Sequence, residues 1–397
     1  MFTTVPEMPE TIMGYLRSDG RAGLRNHLVV LSTVALTNRW AELIVAGFSS
    51  TAGDAPVLIS GDYWRGLRGA DVQLQHDTLA AMMAHPNTGA CLVLVHDTVS
   101  ANKWREAAQK LDRPVTVLAL MDMSGMQHAV GQGKSALSAL EIARQQFVQT
   151  PCGWSKFTIG LECGGSDPTS GVAGNPAVGI FVDMMLAAGG TIIVSETAEF
   201  LGAEAVVQKR TPGAQNWARI NGYFEACERR FSEDGESYRG VNPTAENIEG
   251  GLSTLTEKSM GAVCKTGSAP FAGGLDFGEK VTGAGLWFMD TPFFSPASLN
   301  GMVAGGAVAV LFVIGVFNPC GHELAPTLKI CANARTTDRW SDAVDVNLSS
   351  VITGHMSLEE AGQHISDALR QVSLGQQTAA EKHGERSTII PYGQWPL

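Results

Sequence analysis

The sequence predicts an α/β fold of two halves, each built on a mostly parallel sheet with helices on both faces. Three observations carry this. Short β-branched apolar runs alternate with stretches of helical apolar spacing across residues 27–148. The 397 residues, 44% apolar and only 17% charged, can bury a large core and fill two or three domains. The 45 glycines call for many tight turns between elements.

In chain order, residues 1–13 read as a mobile arm. Residues 14–26, GYLRSDGRAGLRN, form a polar loop. Strand 27–36 follows, then helix 40–48, strand 56–60, helix 72–84, strand 90–96, helix 102–111, strand 115–120 and helix 135–148. This first α/β domain covers 14–150. A second, 151–355, opens with a buried strand at 157–161 and the glycine-rich loop GLECGGSDPTSGVAGNPAVG over 160–179. Asn175 as cap and Pro176 in the first turn predict a helix over 177–188. Strands are expected at 191–194, 309–315 and 327–331, a helix at 256–265, and polar helical chain over 205–250 with a loop at 234–243. Residues 356–397 form a C-terminal helix and tail, started by a Ser357/Glu360 capping box.

The formal charge of −11 argues against nucleic acid or an anionic membrane as main partner. It leaves room for an anionic substrate in a local basic pocket. The seven cysteines show no C-x-x-C pair and suit reduced thiols in the cytoplasm. No signal peptide is visible, and the apolar stretch 302–317 is too short and glycine-broken for a span. It reads as a buried helix-to-strand passage.

Several clusters can carry chemistry. In the glycine-rich loop, Gly164, Gly165, Ser166, Asp167, Ser170 and Asn175 can offer backbone N–H groups and short polar side chains to a carboxylate or phosphate. The same loop also reads as an ordinary tight turn. Arg17, Arg21 and Arg25, with Asn26, suit either a carboxylate or a solvated turn. Glu196, Glu199 and Glu204 follow a strand end. If 196–204 is helical, the first two share a face, and they suit a divalent metal, a general base or a solvated face. Glu257, Lys258 and Lys265 offer a buried lysine for proton transfer or enolate stabilisation, or an exposed helix. His96 and Asp97 end an apolar strand, and Cys163 stands between a carboxylate and glycine; each is a ligand candidate or a packing residue. Cys320 with His322, Asp290 and Lys329 are weaker candidates. No Walker loop, dinucleotide fingerprint, zinc-type histidine pair or nucleophile elbow is present.

Taken together, the blocks GYLRSDGRAGLRN, HPNTGACLVLV, CGGSDPTSGVAGNPAVG, SETAEFLGAE, GGLSTLTEKSMG, FMDTP and LKICANA stand in an order that resembles the altronate/galactarate dehydratase family. That family includes the large subunit of sulfolactate sulfo-lyase. The resemblance covers about residues 14–355. It implies a lyase that removes water or another β-leaving group from a 2-hydroxy or sugar acid through an enolate, giving a 2-keto-3-deoxy acid. By position it implies catalysis by Lys258, Lys265, Glu257 and Glu196. It implies substrate binding by Arg21, Arg25 and Asn26 and by the loop residues Gly164, Gly165, Ser166, Asp167, Ser170 and Asn175. It implies a divalent metal, usually iron(II), for which Cys163, Glu199 and Glu204 are the candidate ligands; where the family's other cysteines are missing, a site rebuilt with His96, Asp97 or Asp62 would favour magnesium or manganese. The chain departs from the family pattern at Leu36, Asp62 and Thr98, where the family carries cysteines, and at Val316–Phe317, where the family has a T-T-G-R-G run. These departures point to a less anionic or more apolar substrate than an aldaric acid, and to three further readings: a related lyase with a rebuilt, metal-free site, a catalytically silent carboxylate-binding subunit, and a scaffold subunit. A separate small β-rich subunit and a homo-oligomer are the expected partners.

Overall fold

The computed structural model describes residues 7–51, 53–62, 66–233, 242–386 and 388–393. The chain divides into two compact units. The smaller is built on Met13–Pro151 and the larger on Cys152–Ile389. The strands are β1 (Thr11–Leu16), β2 (Ala22–Gly23), β3 (His27–Ser32), β4 (Val57–Ile59), β5 (Thr88–Val95), β6 (Val115–Ala119), β7 (Thr150–Gly153), β8 (Thr158–Gly164), β9 (Thr191–Val194), β10 (Phe271–Leu275), β11 (Gly285–Met289), β12 (Ala309–Ile314), β13 (Thr327–Cys331) and β14 (Val346–Asn347).

In the smaller unit, β1 and β2 pair antiparallel, and a four-stranded parallel sheet runs in the order β4-β3-β5-β6. The helices α1 (Ala35–Ala46), α2 (Ala70–Met83), α3 (Thr98–Ala108) and α4 (Met126–Arg144) alternate with these strands. Strand β5 is buried along its whole length, as a central parallel strand covered on both faces must be. Trp40 and Ile44 of α1 pack with Leu137 and Leu140 of α4 over Val30 and Leu92. The arm expected over 1–13 is corrected for its described part. Ile12 is buried, β1 begins at Thr11, and the Pro9 carbonyl accepts a hydrogen bond from Trp154 Nε1 at 2.6 Å.

The larger unit holds a seven-stranded sheet in the order β10-β11-β9-β8-β12-β13-β14, with every neighbouring pair parallel. Its helices are α5 (Asn175–Ala187), α6 (Glu204–Lys209), α7 (Ala214–Glu233), α8 (Ala245–Glu249), α9 (Leu255–Cys264), α10 (Ser295–Ala304), α11 (Ala334–Arg339), α12 (Ser349–Ile352), α13 (Leu358–Ser373) and α14 (Ala379–His383). The capping box read at Ser357 and Glu360 starts α13, which packs on α5. The loop expected at 234–243 falls largely outside the described residues. One stretch among the described residues, Ser170–Ala187, is long and apolar enough to cross a membrane, and 67% of it is buried inside the protein.

Two local expectations are corrected. Asn175 does not cap α5 from outside. A π turn over Ser170–Gly174 already continues into the helix, so Asn175 lies within it and its side chain is free to reach α9. Residues 196–204 are not one helix. A 3-10 turn, Thr197–Phe200, ends at Leu201, and α6 starts afresh at Glu204. Phe200 fixes that turn by packing edge-on against Phe288 at 5.2 Å, and Phe288 in turn meets Phe224 at 5.4 Å.

The chain leaves β8 on one side for β9, and β12 returns on the other. The strand order therefore reverses beside β8. In open parallel sheets, ligands bind beyond the carboxyl ends of the strands at such a point.

Candidate functional site

A cavity of about 320 Å³ opens there, within the larger unit. The end of β8 supplies Cys163, Gly164 and Gly165, and the end of β9 supplies Glu196. The segment after β11 brings Phe293, Phe294, Ser295 and Pro296, and the segment after β12 brings Asn318, Pro319 and Cys320. Helices α8 and α9 close it with Glu246, Asn247 and Lys258, beside Thr244.

The loop after β8 is shaped by close backbone approach. Gly165 has φ +58°, and a Cβ there would stand 2.6 Å from the Val316 carbonyl oxygen. Val316 N–H donates to the Gly165 carbonyl at 2.7 Å, joining the two loops that border the cavity. Asp167 is buried and occupied. It accepts from Thr169 Oγ1 at 2.7 Å, from Ser170 N–H at 3.0 Å and from Asn333 Nδ2 at 2.6 Å. It ties the loop to the segment after β13. Replacing Asn333 by Ala leaves one Asp167 oxygen short of a donor. We expect a loss of about 1–3 kcal/mol, read as a lower thermal midpoint. Ser166 Oγ, by contrast, is buried without a hydrogen-bond partner.

Glu196 is the only non-glycine residue with positive φ among the described residues, at 67°. Such backbone costs of order 1–3 kcal/mol and persists where the surroundings impose it. Here the imposition is visible: its N–H donates to Thr291 Oγ1 at 2.8 Å, and the aromatic-packed 3-10 turn follows at once. Burial raises the Glu196 carboxyl well above the usual carboxylate range, and repulsion from Glu162 and Glu199 adds to it. Glu162 sits one residue before Cys163 on β8. It accepts from Ser298 Oγ at 2.6 Å, while its other oxygen has no hydrogen-bond partner. Burial pushes its carboxyl up to about 7, against the pull of the Lys265 ammonium.

The two lysines have different environments. Lys258 Nζ faces the cavity, donates to Asn247 Oδ1 at 2.9 Å and rides 4.3 Å above the Phe293 ring. Asn247 is itself held by donating to the Ser166 carbonyl at 3.0 Å. Lys265 is wholly buried behind the wall. Its ammonium pairs with Glu199 and donates to Cys163 Sγ at 3.1 Å, and the Cys163 thiol donates to Glu199 Oε1 at 2.9 Å. Burial alone would lower the Lys265 value, but its acidic neighbours, with Glu199 in direct contact, outweigh that and raise it above the ordinary lysine value. Burial and Glu199 push the Cys163 thiol up to about 12, so it stays protonated.

The other sequence-predicted residues make local contacts. Glu257 is exposed and accepts from Ser253 N–H at 2.8 Å at the start of α9. Glu204 accepts from Gly202 N–H at 2.7 Å. Asn175 donates to the Gly261 carbonyl at 3.0 Å. Arg21, Arg25, Asn26, His96 and Asp97 all belong to the smaller unit. Arg21 pairs with Asp19, and Arg25 donates to the Leu24 carbonyl at 3.1 Å. Asn26 accepts from Arg17 at 3.0 Å and donates to the Arg144 carbonyl at 3.1 Å. His96 accepts from Met121 N–H through its carbonyl. Asp97 caps α3 by accepting from Ser100 N–H at 2.9 Å.

The donor set expected to hold a metal does not fit one. Cys163 and Glu199 are hydrogen-bonded to each other, and the Lys265 ammonium contacts both and balances the carboxylate. Glu204 is engaged on Gly202, and Asp97 caps a helix of the other unit. Among the described residues no three His, Cys, Asp or Glu side chains converge as a metal site.

Fold and cavity together describe an α/β protein with a small cavity, lined by a glutamate and a lysine, at the switch point of its larger sheet. The comparisons are more specific. The family described as D-galactarate/Altronate dehydratase, C-terminal, matches residues 154–395, and D-galactarate dehydratase/Altronate hydrolase, second domain, matches 14–143. The (2R)-sulfolactate sulfo-lyase subunit beta of Chromohalobacter salexigens is 31% identical over 382 residues, 96% of this chain and 97% of that one. The altronate dehydratase of Bacillus subtilis is 28% identical over 96% of this chain and 77% of its own. The galactarate dehydratase (L-threo-forming) of Escherichia coli is 27% identical over 72% of this chain and 55% of its own. The chain belongs to the D-galactarate/altronate dehydratase family, a family of lyases.

Proposed function

We propose that the protein eliminates water, or another β-leaving group, from a 2-hydroxy or sugar acid through an enolate, giving a 2-keto-3-deoxy acid. The observation that carries this is a cation and a high-pKa carboxyl facing one cavity: Lys258 and Glu196. Lys258 would grip the substrate carboxylate and stabilise the charge that builds on it as the α-proton leaves. Glu196 would accept that proton, because burial raises its proton affinity above that of an ordinary carboxylate. Cys163, Glu199 and Lys265 would hold the wall rigid.

The test is incubation with a panel of sugar acids and 3-substituted 2-hydroxy acids, followed by keto-acid detection. Keto acid from at least one supports the reading, and none from any overturns it. Lys258→Met should raise KM by ten-fold or more, since a charge-assisted contact is worth about 1.5–3 kcal/mol. A second, separate subunit belongs to the same reading, because one relative is itself named a subunit beta. A cytoplasmic location accords with seven free cysteines.

A further inference from the structure

We infer that Asn318 is a binding residue of the cavity, its amide nitrogen donating to an oxygen of the bound acid, and that buried Lys329 and the C-terminal tail residue Glu385 are the positioning residues that aim it. That the ligand is an acid rests on the lyase reading. The brace of tail, lysine and cavity wall is a property of the resting protein. Neither Lys329 nor Glu385 lines the cavity, so both act through Asn318.

Asn318 lies on the segment after β12, and both of its oxygens are committed. Its backbone carbonyl accepts from the Lys329 ammonium. Its side-chain oxygen accepts from Cys320 N–H at 3.1 Å, which fixes the way the amide faces. The amide nitrogen makes no hydrogen bond among the described residues. It stands over Gly164, where a Cβ would lie 2.7 Å from it. Gly164, Asn318, Pro319 and Cys320 all line the cavity. Glycine at 164 therefore leaves a free donor room at the cavity wall, opposite no protein acceptor.

Lys329, in β13, is wholly buried, with its ammonium 5.4 Å from the Phe312 ring centroid and 5.5 Å from that of Phe317. A buried ammonium needs an anion, and Glu385, just after α14, supplies one at 2.7 Å. The pair fastens the tail to the backbone of the cavity wall. The tail is closely seated there. A Cβ on Gly321 would stand 2.7 Å from the Glu385 carbonyl oxygen. Thr388 Oγ1 donates to Glu323 at 3.3 Å, and Asn300 of α10 donates to the Ile389 carbonyl at 3.1 Å. Because α10 begins at the cavity with Ser295 and Pro296, the tail holds two of the cavity's walls. A donor held in this way has little freedom left to lose when a ligand oxygen arrives.

Iodoacetamide labelling of Cys320, followed by mass spectrometry, reads the wall directly, since that thiol lines the cavity. In the protein without added acid, Glu385→Gln should speed the labelling several-fold. Lys329→Met combined with Glu385→Gln leaves no unpaired charge, so it should fold where the single variant fails, and should label faster as well. No acceleration in either, or equal acceleration at Cys227 on α7 of the same unit, overturns the brace. The same reagent reads binding. At least one of the sugar acids and 3-substituted 2-hydroxy acids of the panel should protect Cys320 in the wild type. Asn318→Asp keeps the acceptor for Cys320 N–H and removes the donor; it should weaken protection about ten-fold or more without speeding labelling in the absence of acid. Asn318→Leu, neutral and of similar size, should weaken it too. If only Asp does, charge repulsion accounts for the loss and the role of Asn318 is overturned, as it is by full protection in both variants or by no protection in the wild type. The brace variants should also weaken protection, and loosening without that effect overturns the positioning role. For an acid that is turned over, the Asn318 losses should fall on KM with kcat little changed. Protection without keto acid from any of the panel defeats the lyase reading and leaves this inference standing.

Discussion

Replacing Glu196 by Gln should lower kcat/KM about 10²–10⁴-fold while leaving the fold intact. Gln keeps the length and the hydrogen-bonding shape of the side chain but cannot accept the α-proton. The backbone at this position is fixed by Thr291 and the turn packed around Phe200, neither of which uses the carboxyl. The loss should therefore appear in kcat with KM little changed. The same variant should be more stable than the wild type at mildly alkaline pH. A carboxyl whose folded-state pKa is raised contributes stability below its ordinary value, and that contribution is lost as pH rises through the folded value. For Glu162 this window runs from its ordinary 4.5 up to about 7, and Glu196 is raised in the same direction. In denaturant unfolding at about pH 8, Glu196→Gln should gain relative to the wild type, and the gain should vanish below about pH 4. Unchanged kcat with a normal fold would remove Glu196 from the chemistry.

Much of the fold was legible because parallel β/α units write a strong pattern. Fully buried strands such as β5 and β12 read as unbroken apolar runs, and both match the expected positions within two residues. Helix starts were less legible. α4 begins at Met126 rather than near 135 because its first turns carry glycines and polar residues that break the apolar spacing. In the site, residues at strand ends were visible as polar groups after apolar runs, as with Cys163 and Glu196. What lay hidden was contact between segments far apart in sequence: Lys265 with Glu199 and Cys163, or Asn247 with Ser166. Spacing suggested that Glu196, Glu199 and Glu204 act together. A three-residue break in the helix separates Glu204 from the others, and no periodicity signals it. Glu162 escaped notice although a signal existed. A carboxylate inside the buried run TIGLECG is out of place in a strand covered on both faces. The aromatic wall of Phe293 and Phe294 had no signal at all, since a Phe pair after a strand reads as core.

Lys265→Met should cost about 3–5 kcal/mol of folding stability, the largest loss expected from a single change in this site. The ammonium has no solvent exposure to fall back on. It neutralises Glu199, which is as buried as itself, and donates to the Cys163 sulfur. Removing it strands a carboxylate in the protein interior, and the penalty is the desolvation of that charge rather than the worth of the pair. Two consequences separate this from a simple packing defect. First, Lys265→Met combined with Glu199→Gln should recover a large part of the loss, because no unpaired charge then remains; a double variant as unstable as the single one would show that shape, not charge, is what Lys265 supplies. Second, the pH dependence has a defined sign. The folded-state value of Lys265 lies above its ordinary value, so its contribution is complete below the ordinary lysine value and is lost only as pH climbs through the folded one. Urea unfolding at several pH values should therefore find the stabilisation that Lys265 supplies undiminished through neutrality, with the gap between the variant and the wild type narrowing only at strongly alkaline pH, where Lys265 loses its proton.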